Sequence, residues 1–96
     1  MSKELKEMNK KIDDDTKVLV ACEDSVLSIN TILNSLKLLN KSARKVYGNN
    51  EASREFRETI LAVTADITSM KIEIEEVASD TADEINKLIR ELKEMK

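Results

Sequence analysis

The sequence lacks the residues on which most enzyme active sites depend. Its 96 residues include no histidine, no proline and no tryptophan, and only one glycine and one cysteine. Without histidine there is no Ser–His or Cys–His pair, and the usual zinc ligand sets are incomplete. A single glycine also excludes a glycine-rich phosphate loop. We therefore expect a protein that is not an enzyme and that uses no cofactor, no metal and no small-molecule substrate.

The run Asp13-Asp14-Asp15 is the most concentrated group of carboxylates in the first half. It lacks the spaced oxygens and the glycine turn of a calcium loop. Aspartates are common at helix N-termini, where they cap free amides and complement the helix dipole. The run therefore allows two interpretations: a break at residues 13–15 after a short first helix, or one continuous helix.

Three further classes of protein are not expected from this sequence. The first residues are charged and carry no apolar run, unlike a secretory signal. No stretch approaches the roughly 20 apolar residues of a membrane span. Nucleic-acid binding is not expected, because the net charge is −3 and only Tyr47 and Phe56 are available for stacking. We expect synthesis in the cytoplasm, with export, if any, by a route that reads no N-terminal signal.

Apolar residues in the first half recur at alternating steps of three and four, the spacing of a coiled-coil seam. Only Asp15 and Asn40 interrupt this series. A second row, with steps of seven or multiples of seven, lies beside it and widens the apolar surface. The first series is Leu5, Met8, Ile12, Leu19, Cys22, Val26, Ile29, Leu33, Leu36, Ala43 and Tyr47, and the second row is Val18, Ile32, Leu39 and Val46.

The second half repeats this pattern. Its steps from Val77 to Thr81 and from Thr81 to Ile85 are both four, which predicts a stutter that locally unwinds the supercoil. Pairing the two halves about the glycine places Asp15 opposite this irregularity. The expected seam is Phe56, Ile60, Val63, Ile67, Met70, Ile74, Val77, Thr81, Ile85, Leu88, Leu92 and Met95.

The centre of the chain carries a turn signal between two long runs without helix breakers. Gly48 and the asparagines after it tolerate a left-handed backbone, so we assign the turn to Tyr47, Gly48 and Asn49. Either Asn50 or Ser53 can begin the second helix. The sequence predicts one all-α domain over residues 1–96, an antiparallel coiled-coil-like hairpin. Its first helix covers about 3–47, its turn 48–50 and its second helix about 51–95.

A two-helix hairpin of this size has a thin core, and small cores seldom supply more than about 3–5 kcal/mol. We therefore expect it to complete a four-helix bundle, either by dimerisation or by binding helices of another protein. Surplus apolar residues beside the seams are the candidates for this contact. They are Val18, Leu27, Ile32, Leu39, Val46, Leu61, Ile72 and Ile89.

Charge is unevenly distributed along the sequence. Residues 37–57 carry a net charge of +4, residues 12–24 a net of −4 and residues 66–84 a net of −6. In an antiparallel hairpin the two acidic segments lie side by side, where they repel each other modestly. A basic partner surface, or the basic turn of a second copy, would relieve this repulsion. The alternative is a solvated charged face.

In layout the whole chain resembles the WXG100 or ESAT-6-like small proteins of type VII secretion, including the helical partners of LXG-type toxins. Val46-Tyr47-Gly48 stands where that family has Trp-x-Gly. Ala52 and Phe56 follow, where the family commonly has small residues and then Phe. The family tryptophan is replaced by Val46. The carboxy-terminal export motif, an aromatic residue followed four residues later by an acid, is not recognisable.

The resemblance implies a non-enzymatic, chaperone-like partner or adaptor of a type VII secretion toxin. Such a protein would form a helical bundle with the toxin's helical targeting domain, and another subunit would supply the missing export motif. A homodimeric four-helix bundle or coiled-coil scaffold is the first alternative. An immunity protein or antitoxin is the second.

Overall fold

Two long helices joined by a short turn make up the structure, a computed structural model that describes residues 3–95. Helix α1 is Lys3–Tyr47 and helix α2 is Glu51–Glu94. They form an antiparallel hairpin, so the predicted all-α fold is confirmed. Helix α1 runs without a break through residues 13–15, where Asp13 forms an ion pair of 3.5 Å with Lys17 one turn later.

The turn lies at residues 48–50, and Tyr47, which the sequence also assigns to it, is instead the last residue of α1. Gly48 has a φ of 70°, in the left-handed region that glycine occupies without steric cost. Its N–H donates to the Arg44 carbonyl at 3.1 Å and so closes the last turn of α1. Of the two candidate first residues of α2, Asn50 is the one used, because its Oδ1 accepts a hydrogen bond from the Ser53 N–H at 2.8 Å.

Contacts divide the hairpin into two compact units. The turn unit is Val26–Glu73, and the terminal unit is Met1–Ser25 with Ile74–Lys96, of which residues 3–25 and 74–95 are described. Few side chains are buried in either unit. Within residues 3–95 the buried ones are Ile29, Ala43, Ser53 and Ile60 in the turn unit and Leu88 in the terminal unit. Each unit therefore has the thin core expected of two helices packed along one line.

The seam of α1 follows the predicted series. Its buried and half-buried residues alternate at steps of three and four and include both polar interruptions, with only Asn30 outside the series. The exception is Tyr47, which was expected to end the seam and is exposed. The α1 seam is Leu5, Met8, Ile12, Asp15, Leu19, Cys22, Val26, Ile29, Leu33, Leu36, Asn40 and Ala43.

The predicted seam of α2 is wrong at every second position from Phe56 to Val77, and Met95, its expected last residue, is exposed. Val63, Met70 and Val77 are 41%, 53% and 49% exposed, and Phe56 is exposed as well. The residue after each of these four lies in the contact instead. The α2 seam is Ser53, Arg57, Ile60, Thr64, Ile67, Lys71, Ile74, Ala78, Thr81, Ile85, Leu88 and Leu92.

The predicted stutter is also wrong. From Ser53 to Leu92 the α2 seam alternates steps of four and three without interruption, because it passes through Ala78 and not Val77. Asp15 and Thr81 are both half-buried members of their seams. The terminal unit therefore contains polar seam residues within a regular heptad.

Polar residues weaken the seam of the turn unit. Thr64 is satisfied locally, because its hydroxyl donates to the Ile60 carbonyl at 2.7 Å. Among the described residues, however, Asn40 Oδ1, Ser53 Oγ and Arg57 Nε of this unit are buried without a hydrogen-bond partner, as is Asp15 Oδ2 of the terminal unit. Each such atom costs roughly 1–3 kcal/mol. The turn unit is thus less stable than an apolar seam of the same length would be.

Replacing Asn40 by leucine is expected to stabilise the isolated hairpin by about 1–2 kcal/mol, because the change removes one of these unpartnered atoms and adds apolar contact. Urea unfolding followed by circular dichroism measures this as a higher midpoint. Asn34→Leu, at an exposed position of the same helix, is the control and should change stability by less than about 0.5 kcal/mol. Equal effects of the two changes would contradict the assignment of Asn40 to the seam.

Candidate helix-binding face

A row of exposed apolar side chains flanks the α1 seam in the turn unit. It consists of Ile32, Leu39 and Val46, which are 46%, 45% and 71% exposed. Ile32 and Leu39 come one residue before the seam residues Leu33 and Asn40 and therefore occupy position g of the heptad. Val46, seven residues after Leu39, continues the same position. Nearly half of the surface of Ile32 and of Leu39, and most of the surface of Val46, remains exposed to water. The seam contact alone does not cover this row.

Helix α2 carries an equivalent row. Phe56, Val63 and Met70 are spaced by seven and are exposed. Each comes one residue before a seam residue, so this row also occupies position g. Within the turn unit, the two helices therefore have the same flanking position filled by large apolar residues.

The antiparallel arrangement places these two rows on the same side of the hairpin. When two seams face each other and one helix is reversed end over end, like heptad positions fall on the same flank. The terminal unit contains a direct example, because Lys11 and Glu84 both occupy position g and form an ion pair of 3.2 Å. The same geometry in the turn unit puts Ile32, Leu39 and Val46 on the flank that also bears the α2 row.

We name this surface the apolar face: Ile32, Leu39, Val46, Phe56, Val63 and Met70. Helices with apolar residues at both seam positions and at one flanking position are typical of bundles, whereas a coiled coil of two helices needs the seam positions alone. Completing the burial of each half-exposed side chain is worth about 1 kcal/mol. Covering the face with further helices is therefore the packing that its pattern favours.

The apolar face ends at the turn in a small cavity. Its volume is about 220 Å³ and its lining residues are Tyr47, Ala52, Ser53 and Phe56. Ser53 is only 2% exposed, whereas both aromatic rings are exposed. Two rings beside a small residue form an apolar recess of the kind that receives an anchoring side chain at an interface.

The flank opposite the apolar face is different. Position e of the heptad lies there, and in α1 of the turn unit it is occupied by the polar residues Asn30, Lys37 and Arg44. In α2 of the turn unit it holds Arg54, Leu61 and Thr68. Leu61 is the one large apolar residue among these six. The hairpin is therefore one-sided in its turn unit.

The residues predicted to bind a partner fall into three groups. Ile32, Leu39 and Val46 lie on the apolar face, and Val18 occupies the same heptad position in the terminal unit. Leu61 at position e, and Leu27 and Ile72 at the neighbouring position b, are exposed on the side of the opposite flank, so the structure does not bring them together with the first group. Ile89 is half-buried. Partner binding by any of the eight stays a prediction.

Sequence reasoning missed half of the apolar face. Hydropathy places Phe56, Val63 and Met70 in the seam, because they are more apolar than Arg57, Thr64 and Lys71, which follow them. The signal that identifies the correct seam is the regular spacing of Ile85, Leu88 and Leu92. Extended toward the N-terminus, that spacing reaches Ala78, Lys71 and Thr64.

Comparisons with protein families, with curated proteins and with solved structures find no match to this chain. The resemblance to type VII secretion proteins thus gains no support beyond the two-helix hairpin itself. Two further findings concern the described residues 3–95. Neither helix contains a segment long and apolar enough to span a membrane. No group of three or more His, Cys, Asp or Glu side chains is arranged to hold a metal ion.

Proposed function

We propose that this protein is a non-enzymatic helical adaptor that binds the helical targeting domain of a type VII secretion toxin. The apolar face is the observation that carries the proposal, since it leaves six large side chains of the turn unit exposed on one flank. In the proposed complex, helices of the toxin cover this face and the four helices share one core. The adaptor would accompany the toxin from the cytoplasm to the export machinery.

Two features favour an adaptor of this class over a general helix-binding protein. The layout, with a central turn at Val46-Tyr47-Gly48, resembles the small proteins of type VII secretion. The seam of the turn unit is weakened by unpartnered polar atoms at Asn40, Ser53 and Arg57. A hairpin with a weak core and an exposed apolar flank gains most of its stability from its partner, as expected for a subunit that acts in a complex.

A homodimeric four-helix bundle is the competing function. The two rows of the apolar face have equal length and spacing, so a two-fold axis through the face would bury both copies' rows together. Such a protein would be a scaffold and not an adaptor. The two functions predict different oligomeric states for the isolated protein in solution, a monomer for the adaptor and a dimer for the scaffold.

The test is co-expression with the amino-terminal helical domain of an LXG-type toxin from the organism that encodes this protein. We expect a stable complex with one copy of each chain, and an isolated chain that sediments as a monomer. Deleting the adaptor should also abolish secretion of that toxin from the producing cell. A stable homodimer that does not exchange with the toxin domain would contradict the proposal and support the scaffold.

A further inference from the structure

Charge at the rim of the apolar face defines the chemistry of the partner. Asp66 is three residues after Val63 and four before Met70, so it neighbours both on the helix surface. Glu73 stands three residues after Met70. Both carboxylates belong to exposed residues. The α2 rim of the face is therefore acidic.

The α1 rim is small and uncharged. Ser28, Ser35 and Ser42 occupy the places three or four residues from members of the α1 row, and all three are exposed. Serine adds little bulk beside Ile32, Leu39 and Val46. A partner helix can therefore approach α1 closely, while the charged contacts form along α2.

The lysines and arginines of the turn unit do not lie at the rim of the apolar face. None of them is three or four residues from a member of the apolar face, the spacings at which helical side chains are neighbours. They are Lys37, Lys41, Arg44, Lys45, Arg54, Arg57 and Lys71. The basic character of residues 37–57 thus belongs to the other surfaces of the helices and to the seam.

We infer that the apolar face binds a pair of amphipathic helices from another protein whose apolar stripe is flanked by lysine or arginine. This rests on the proposed function in one respect, that the occupant is another protein. A second copy fits less well: two copies meeting at this face bring four carboxylates and no rim cation to one apolar core. Opposite charge across an interface sets which partner is chosen and how fast it binds.

Synthetic helices are the probe. One peptide of about 28 residues, or four heptads, carries a leucine stripe flanked by lysines, and its counterpart has glutamate at the flanking positions. We expect the lysine-flanked peptide to bind the full chain at least about tenfold more tightly at physiological salt, with the difference shrinking as salt is raised. Fluorescence anisotropy with labelled peptides measures both affinities.

Reversing the charge of Asp66 and Glu73 tests whether these two carboxylates determine the choice of peptide. The double variant Asp66→Lys with Glu73→Lys should lose the preference for the lysine-flanked peptide and favour the glutamate-flanked one. The matched control is Glu55→Lys with Glu58→Lys, which changes the net charge of the same helix by the same amount away from the apolar face. The control should keep the original preference and differ less than about threefold in affinity from the unmodified chain.

Three results would overturn the inference. They are no binding of either peptide, equal effects of the two charge reversals, and an unmodified chain that sediments as a dimer and becomes monomeric on Leu39→Gln. The experiment uses no toxin domain. A chain that binds the lysine-flanked peptide but no toxin domain would therefore contradict the proposed function while leaving the partner chemistry in place.

Discussion

Truncating Ile60 to alanine is expected to remove most of the stability of the isolated hairpin. Ile60 is 5% exposed at the centre of the α2 seam in the turn unit, where few other side chains are buried. Isoleucine-to-alanine changes in cores cost roughly 2–5 kcal/mol, through lost apolar burial and the cavity left behind. A core of this size supplies only about 3–5 kcal/mol in total. Urea unfolding should show a large fall in midpoint or loss of the cooperative transition.

The next residue provides the matched control. Leu61 has similar bulk but is 59% exposed, so Leu61→Ala should change the free energy of unfolding by less than about 0.5 kcal/mol. Adding a bound partner should restore folding of the Ile60→Ala chain, because a ligand that binds only the folded state stabilises it by mass action. Similar losses for the two truncations would contradict the placement of Ile60 in the α2 seam.

The second large effect concerns binding. Replacing Leu39 and Val63 together by glutamine should weaken binding of the partner helices about 100-fold. Each change removes one half-exposed apolar side chain from the centre of a row, and central contacts of this kind contribute more than about 1 kcal/mol each. Glutamine is a good helix former. The isolated double variant should therefore stay close in stability to the unmodified chain, so the loss reports contact and not unfolding.

Leu27 and Leu61 give the corresponding control on the opposite flank. They are 66% and 59% exposed, one on each helix of the turn unit, and they match the first pair in number and chemistry. Leu27→Gln with Leu61→Gln should alter affinity by less than about threefold. Isothermal titration with the same partner measures both pairs. A larger loss from Leu27 and Leu61 would move the binding surface to the other flank.

The fold was predictable because each element carries an unambiguous local signal. Gly48 is the helix-breaking residue that separates the two long helical segments, and Asn50 beside it caps the second helix. In α1 the large apolar residues and the regular spacing select the same series, even across Asp15 and Asn40. Because only one series of residues fits the heptad spacing of α1, the sequence determines which face of this helix packs against α2.

The candidate face was only half predictable because α2 has two solutions. Two seams are compatible with the spacing of α2, and Ile60, Ile67 and Ile74 belong to both. One seam continues from each isoleucine to the apolar residue three positions later, and the other continues to the residue four positions later. Hydropathy favours the first set, which begins with Val63 and Met70. The structure uses Thr64 and Lys71, because the regular heptad continues from Leu92 back to Ser53. The apparent stutter at Val77 marks the place where the two solutions part.

Hydroxyl-radical footprinting of the free and partner-bound chain tests the central claim most directly, namely that other helices cover one flank of the hairpin. Phe56 and Met70 are exposed on the apolar face and react readily with radicals, while Leu27 and Leu61 report on the opposite flank. Binding should slow oxidation of Phe56 and Met70 severalfold and leave Leu27 and Leu61 unchanged. Protection of Leu27 and Leu61 with Phe56 and Met70 still fully reactive would contradict the account.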